Sequence, residues 1–259
     1  NFAPFYDPCC GSGTIAIEAA QIACNIAPGS MRRFAFEKLL PFQPHVWDAI
    51  KQEAQAAVLT PEERKNIQIF GSDVSFRMVD FANRNAERAG VADVLEFRGG
   101  DALQRMPPCD NEKKNGIMLV NPPYGDRIGI SGVAGQNAQQ NARRSGVREN
   151  ANYKPQHASQ NNDFEQDNAE IVPRFGQREI AQTNDSGLEG SEFFPQLATH
   201  WKKNYAGWTA FVLTPDMKLP SKMRLKESRR IPMWNGPIEC RLFKFDMVAG
   251  SARTKPTIV

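Results

Sequence analysis

The apolar positions fall into short runs separated by turns carrying glycine or proline, and the runs alternate between strand-like and helix-like spacing. A strand over 2–6 (Phe-Ala-Pro-Phe-Tyr) leads through Asp7 into a glycine turn. A helix over 12–25 follows, with Ile15, Ile17, Ala19, Ile22 and Ala23 as its apolar surface. Residues 26–66 form an excursion with a helix over 47–58. Within it, Thr60-Pro61-Glu62-Glu63 marks a second helix start, with Thr60 as cap and Pro61 at the first helical position. From residue 67 the alternation is regular: a strand over 67–71, a helix over 75–89 ended by Gly90, and a strand over 94–98. A further strand over 116–121 carries Ile117-Met118-Leu119-Val120, a run that predicts burial on both faces.

This order predicts an α/β fold built on a mostly parallel sheet with helices on both faces. Residues 131–190 interrupt it. Sixteen of these sixty residues are Asn or Gln and large aliphatics are few, so the stretch buries too little apolar surface to offset its ordering entropy and reads as a mobile insertion. A helix over 192–203 and a strand over 209–213 resume the pattern. Two last strands, near 229–233 and 239–245, flank Asn235-Gly236, a pair suited to the positive φ angles of a tight hairpin that Pro237 lengthens. The whole predicts one domain over 1–259, with a seven-stranded sheet, mainly parallel, and an antiparallel end formed by the last two strands.

At 259 residues the chain fits a single α/β domain around one core. It has no apolar run of about 18 residues, so no membrane span is expected. No basic-then-apolar leader precedes the first motif, and the abrupt opening predicts a domain cut from a longer protein. The five cysteines are odd in number and lack CxxC spacing, which predicts free thiols in a reducing, cytoplasmic setting and no metal site. His45, His157 and His200 stand singly, and an ordinary surface or core role is expected for each. Charge is unevenly distributed. Residues 201–259 hold twelve Lys and Arg against four Asp and Glu, whereas residues 1–200 hold twenty against twenty-five. The basic end fits contact with a polyanion, and on charge alone it fits a solvated face equally well.

Three strand ends carry candidate chemistry. Asp7-Pro8-Cys9-Cys10-Gly11-Ser12-Gly13-Thr14 lies between a strand and a helix, where glycines admit close backbone approach and a helix N-terminus offers N–H groups. Asp73 ends the second strand, where a carboxylate can take both hydroxyls of a ribose. Asp101 follows the third, placed to accept from an adenine amine. Singly, each aspartate reads as a cap or turn residue; after three successive strands, together they favour a bound nucleoside. The most specific motif is Asn121-Pro122-Pro123-Tyr124, after the fourth strand. Its prolines fix the backbone, Asn121 and the following carbonyl supply two acceptors, and Tyr124 supplies a flat face. That set suits a planar amine.

These motifs resemble motifs I to IV of the class I amino-methyltransferases. The run DPCCGSGTIAIEAA is similar to the bacterial large-subunit ribosomal RNA guanine-N2 methyltransferases, as are Ala27-Pro28-Gly29, Phe34-Ala35-Phe36-Glu37, NAERAG, NPPYGDR and Asn235-Gly236-Pro237-Ile238-Glu239-Cys240. The resemblance covers roughly 1–130 and 190–247. It implies the class I, Rossmann-like methyltransferase fold and S-adenosylmethionine as cofactor, held by Asp7, Cys9, Gly11, Ser12, Gly13, Thr14, Asp73, Val74, Asp101, Ala102 and Asn121. It implies catalysis by Asn121, Pro122, Pro123 and Tyr124 on ribosomal RNA. Members of that family usually carry an N-terminal RNA-binding THUMP region, and one is expected in the full-length chain. The NPPY chemistry also serves adenine-N6 methylation of DNA and glutamine methylation of proteins. A non-catalytic RNA-binding or ribosome-assembly module is the reading from another class.

Overall fold

A computed structural model describes residues 3–109, 115–122 and 193–248. Seven strands form one sheet: β1 (Phe5–Asp7), β2 (Ile69–Asp73), β3 (Leu95–Gly99), β4 (Ile117–Val120), β5 (Thr209–Thr214), β6 (Arg229–Asn235) and β7 (Ile238–Asp246). Their order is β3-β2-β1-β4-β5-β7-β6, in which β7 alone runs against the rest. The mostly parallel sheet with an antiparallel end is therefore as expected, with the last strand inserted beside β5.

Strand alternation divides the sheet residues between two cores. On one face, Phe5, Ile69 and Phe97 pack with Ala16, Ile17 and Ala20 of α1 (Thr14–Ala23) and with Val79, Ala82 and Ala86 of α4 (Phe76–Ala89). On the other, Tyr6, Met118, Val120, Val212, Phe243 and Phe245 pack with Leu197 and Trp201 of α5 (Phe193–Asn204) and with Leu219 and Met223 of α6 (Leu219–Met223). The helix α4 ends where Gly90 takes a left-handed conformation, as its position predicts.

The strand β4 departs from expectation. Met118 and Val120 are fully buried, but Leu119 is half-buried and Ile117 is 39% exposed. Among the described residues, α1 and α4 pack chiefly against β1, β2 and β3, and the second face of β4 is only partly covered. The hairpin turn also differs. Asn235 pairs with Ile238, so the two-residue loop is Gly236-Pro237, and Gly236 supplies the positive φ of 60°. The asparagine belongs to β6.

The excursion holds α2 (Pro44–Ala56) and α3 (Pro61–Arg64). The helix α2 begins earlier than its pattern predicts because Pro44, without an N–H, suits a first helical turn. It buries no side chain in the main cores. Instead Phe34 and Phe36 meet the Trp47 ring edge-on, at 5.8 and 5.1 Å. Thr60 caps α3 as expected: its backbone N–H donates to Glu63, and its Oγ accepts from the Glu63 N–H. The excursion closes at a neck, where Leu59 N–H donates to the Cys24 carbonyl (3.0 Å) and the Asn25 amide donates to Ala57 (2.7 Å). The insertion over 131–190 lies outside the described residues.

Gly71 in β2 permits the closest packing in the first core. A β-carbon there would stand 2.5 Å from the Phe97 ring and 3.1 Å from Cys10 Cβ. Gly71→Ala is expected to destabilise the chain by about 1–3 kcal/mol through overpacking. Paired with Phe97→Leu, which opens the space, it is expected to cost less than the sum of the two single changes. Urea unfolding of the four proteins in that cycle measures both effects.

Candidate active site

All the strand ends singled out by sequence meet at one edge of the sheet, where β1 to β4 deliver their carboxyl termini. The turn after β1 folds tightly because Gly11 and Gly13 take positive φ of 52° and 88°. A β-carbon at Gly13 would also lie 2.9 Å from Phe97 Cζ and 3.0 Å from Ala82 Cβ, so the turn rests directly on the first core. Cys10 N–H donates to the Ser72 carbonyl (2.9 Å) and the Asn85 amide of α4 donates to the Ser12 carbonyl (2.8 Å). Ser12 is half-buried and Thr14 is exposed at the start of α1.

Each of the three aspartates closes a turn onto the N–H two residues ahead. Asp7 accepts from Cys9 (3.1 Å), Asp73 from Ser75 (2.8 Å) and Asp101 from Leu103 (2.8 Å). The second oxygen of Asp73 accepts from Gly11 N–H (3.0 Å), tying the end of β2 to the glycine turn. An ionised carboxylate offers about four acceptor sites, so the two bonds at Asp73 leave capacity for a ligand's hydroxyls. The turn role and a ligand role are therefore compatible. Of the neighbours, Val74 is exposed beside Asp73 and Ala102 is buried behind Asp101.

Asp7 is the least exposed of the three, at 1%. Burial pushes its carboxyl up to about 7, the Cys9 N–H opposes this, and the Asp73 charge adds to it. The Cys9 and Cys10 thiols are likewise raised by burial and by the carboxylates of Asp7 and Asp73, so both stay protonated. All five cysteines are free thiols.

A polar brace beneath this edge had no signature in the sequence. The Tyr6 hydroxyl lies 2.6 Å from Ser72 Oγ, which donates to the Pro8 carbonyl (3.4 Å). Burial raises the Tyr6 phenol to about 12, so it remains a neutral partner. From α5 and the residue just beyond it, His200 Nε2 (2.7 Å) and the Tyr205 hydroxyl (2.8 Å) both reach the Arg105 carbonyl. Asn204 donates to His200 Nδ1 (2.9 Å), which leaves the ring proton on Nε2 to donate. His200 thus has a packing role, holding the segment that follows Asp101. His45 is exposed, and His157 lies outside the described residues.

Asn121 follows β4. Its Oδ1 is buried and has no hydrogen-bond partner among the described residues, and Pro122 beside it is buried. A buried acceptor without a donor costs about 1–3 kcal/mol, so it calls for a donor brought from outside. Pro123 and Tyr124 lie outside the described residues. Among the described residues, no group of three His, Cys, Asp or Glu side chains is placed to hold a metal ion, and no helix is long and apolar enough to cross a membrane.

The raised Asp7 carboxyl predicts a pH effect of definite sign. An unfolded aspartate titrates near pH ~4, whereas folded Asp7 keeps its proton to about pH 7. Unfolding between those values releases a proton, so Asp7's contribution to stability falls as pH rises across the window and is lost above it. Asp7→Asn, which keeps an acceptor for Cys9 N–H, is expected to flatten that slope and to be the more stable protein above pH ~7. Urea unfolding of both proteins across the window measures the difference.

The chain is 32% identical over 248 residues to a ribosomal RNA large subunit methyltransferase K/L of Shewanella baltica (strain OS185), covering 95% of this chain. It spans about a quarter (26%) of the length of that relative. Among solved structures, a protein of Clostridium difficile 630, described as a possible methylase, superposes with a TM-score of 0.63 at 22% identity, over 97% of this chain and 50% of that one. SMU.472, solved complexed with SAH, superposes with a TM-score of 0.62 at 23% identity, over 97% and 49%. Both show the α/β, Rossmann-like fold of the class I methyltransferases. Residues 2–134 match the family described as UPF0020, RMKL-like, methyltransferase domain, and the chain belongs to that family.

Proposed function

We propose that the chain binds S-adenosylmethionine at the carboxyl edge of its sheet and transfers the methyl group to an exocyclic amine of large-subunit ribosomal RNA, at N2 of a guanine. The observation that carries the reading is Asn121 Oδ1, a buried acceptor without a partner among the described residues, directly after β4 and beside three strand ends that carry aspartates. The RNA substrate is the one named for the K/L methyltransferases to which the chain is 32% identical.

The residues fit the cofactor. With the cofactor bound, Asp73 would accept from two ribose hydroxyls, Asp101 from an adenine amine and Asp7, drawn into its charged form, from the ammonium of the methionine moiety. The glycine turn lets the backbone approach without side chains in the way. S-adenosylmethionine supplies an electrophilic methyl group on a sulfonium.

The chain's own residues then do the positioning. The target base leaves its stack, at a cost of roughly a few kcal/mol, and Tyr124 packs on its ring. Asn121 Oδ1 and the Pro122 carbonyl each accept one proton of the amine. Those bonds turn its lone pair out of conjugation and toward the methyl carbon, and they favour the positive charge that develops on nitrogen. With S-adenosylmethionine bound, the amine nitrogen would take the methyl group as its bond to the sulfonium sulfur breaks, leaving the thioether, and would then lose a proton to solvent. No strong base is required early, because the alkylated amine is acidic. Much of the rate gain is positional.

Two measurements test the reading. Methyl transfer from labelled S-adenosylmethionine to unmodified large-subunit ribosomal RNA is expected to place label in N2-methylguanosine on nucleoside analysis. Label appearing only in DNA adenine or in protein glutamine overturns the substrate. Asn121→Ala is expected to bind S-adenosylmethionine nearly as the parent does while turnover falls roughly 10²–10³-fold, the usual loss for one preorganised charge-stabilising group. Near-normal turnover overturns the role of Asn121.

A further inference from the structure

We propose that the tip of the β6–β7 hairpin is an RNA contact in which Trp234 stacks on a nucleotide flanking the one that is methylated. The inference rests on the RNA reading above and adds a surface to it. Its first support is position. Thr214, the last residue of β5, pairs with Arg241. The pairing of β6 with β7 continues beyond that level through Met233↔Cys240, Trp234↔Glu239 and Asn235↔Ile238. The hairpin therefore overhangs β5 by three residue pairs, about 10 Å. It overhangs at the edge where β1 to β4 deliver Asp7, Asp73, Gly99 and Asn121. From β4 to β6 there are three inter-strand steps, about 14 Å, which is beyond a base held at Asn121 and within the span of its neighbours.

Exposure is the second support. Trp201 and Trp208 are 0% and 3% exposed, whereas Trp234 is 68% exposed and Met233 beside it 40%. The fold gains little from an indole in that position. A flat aromatic face is what base stacking needs, and stacking tolerates any base.

Charge names the partner. Residues 218–244 hold eight Lys and Arg against two Glu. Lys218, Arg224, Lys226 and Arg229 are exposed and form no ion pair among the described residues, leaving them for phosphates. Glu239, directly across from Trp234, is neutralised by Arg241 at 2.7 Å. The edge itself opposes the rival occupant, a strand from a second copy: Pro232 lacks an N–H, and Arg229 and Arg230 put charge along β6.

The test titrates a short single-stranded RNA of mixed sequence into the 259-residue chain and follows tryptophan emission, with S-adenosylmethionine affinity and melting temperature measured alongside. RNA is expected to quench the solvent-exposed emission. Trp234→Phe is expected to keep binding within about threefold and to lose most of that quench, because phenylalanine still stacks but does not emit. Trp234→Ala is expected to weaken RNA binding roughly tenfold, the size of one base–aromatic stack, with cofactor affinity and melting temperature unchanged. RNA affinity and KM for RNA that are unaltered in Trp234→Ala overturn the hairpin contact and leave the proposed function standing. So does a Trp234→Ala protein that changes only from dimer to monomer, which assigns the tip to a second copy. A parent chain that binds S-adenosylmethionine but neither binds nor methylates RNA overturns the RNA reading, and the hairpin contact with it.

Discussion

The ring of Phe97 occupies space that side chains at positions 13 and 71 would otherwise fill. Because both positions are glycine, the first turn of α1 settles directly onto β2 and β3, and the loop after β1 comes within hydrogen-bond reach of the next strand. Cys10 then bonds to Ser72 and Gly11 to Asp73. The alignment of the strand ends follows from this contact between one aromatic ring and two missing side chains. Interiors pack too densely for the loop to sit a methyl group higher and keep those bonds. The site is thus set by the core beneath it as much as by its own residues.

The sheet was legible because its runs obey the two spacings that strands and helices impose, and because Gly90, Thr60 and Pro61 mark boundaries with unambiguous chemistry. Periodicity failed where coverage decides: Ile117-Met118-Leu119-Val120 reads alike whether a helix lies over one face or two, and here its second face is only partly covered. At the hairpin, Asn-Gly and Gly-Pro overlap, and pairing rather than composition selected the loop. The three aspartates were legible as strand-end acceptors, and their shared turn geometry shows why a turn reading and a ligand reading need not compete. The brace of Tyr6, Ser72, His200 and Tyr205 was not legible. Its long-range bonds join residues 64 to 100 positions apart, and no local pattern announces such pairs.

The electrostatics separate two tasks. At the carboxyl edge of β1, β2 and β3 the strand-end side chains are acceptors, and Asp7 is buried deeply enough that a cationic group nearby would draw it into its charged form. The antiparallel end of the sheet carries the opposite sign. Residues 218–244, which include β6 and most of β7, balance to +6 (eight Lys and Arg minus two Glu). A small cation and a large polyanion meeting at one edge would each find a complementary field, with β4 and Asn121 between them.

The neck at Cys24–Leu59 and Asn25–Ala57 lets the backbone leave the sheet layer and return at nearly the same point. The residues between carry their own aromatic cluster around Trp47 and lend no side chain of α2 to either main core. Such a segment is modular. Its length and sequence can drift, or be exchanged for another, while the register of β1 and β2 stays the same. Selection can therefore reshape that side of the molecule without disturbing the glycine turn a few residues away.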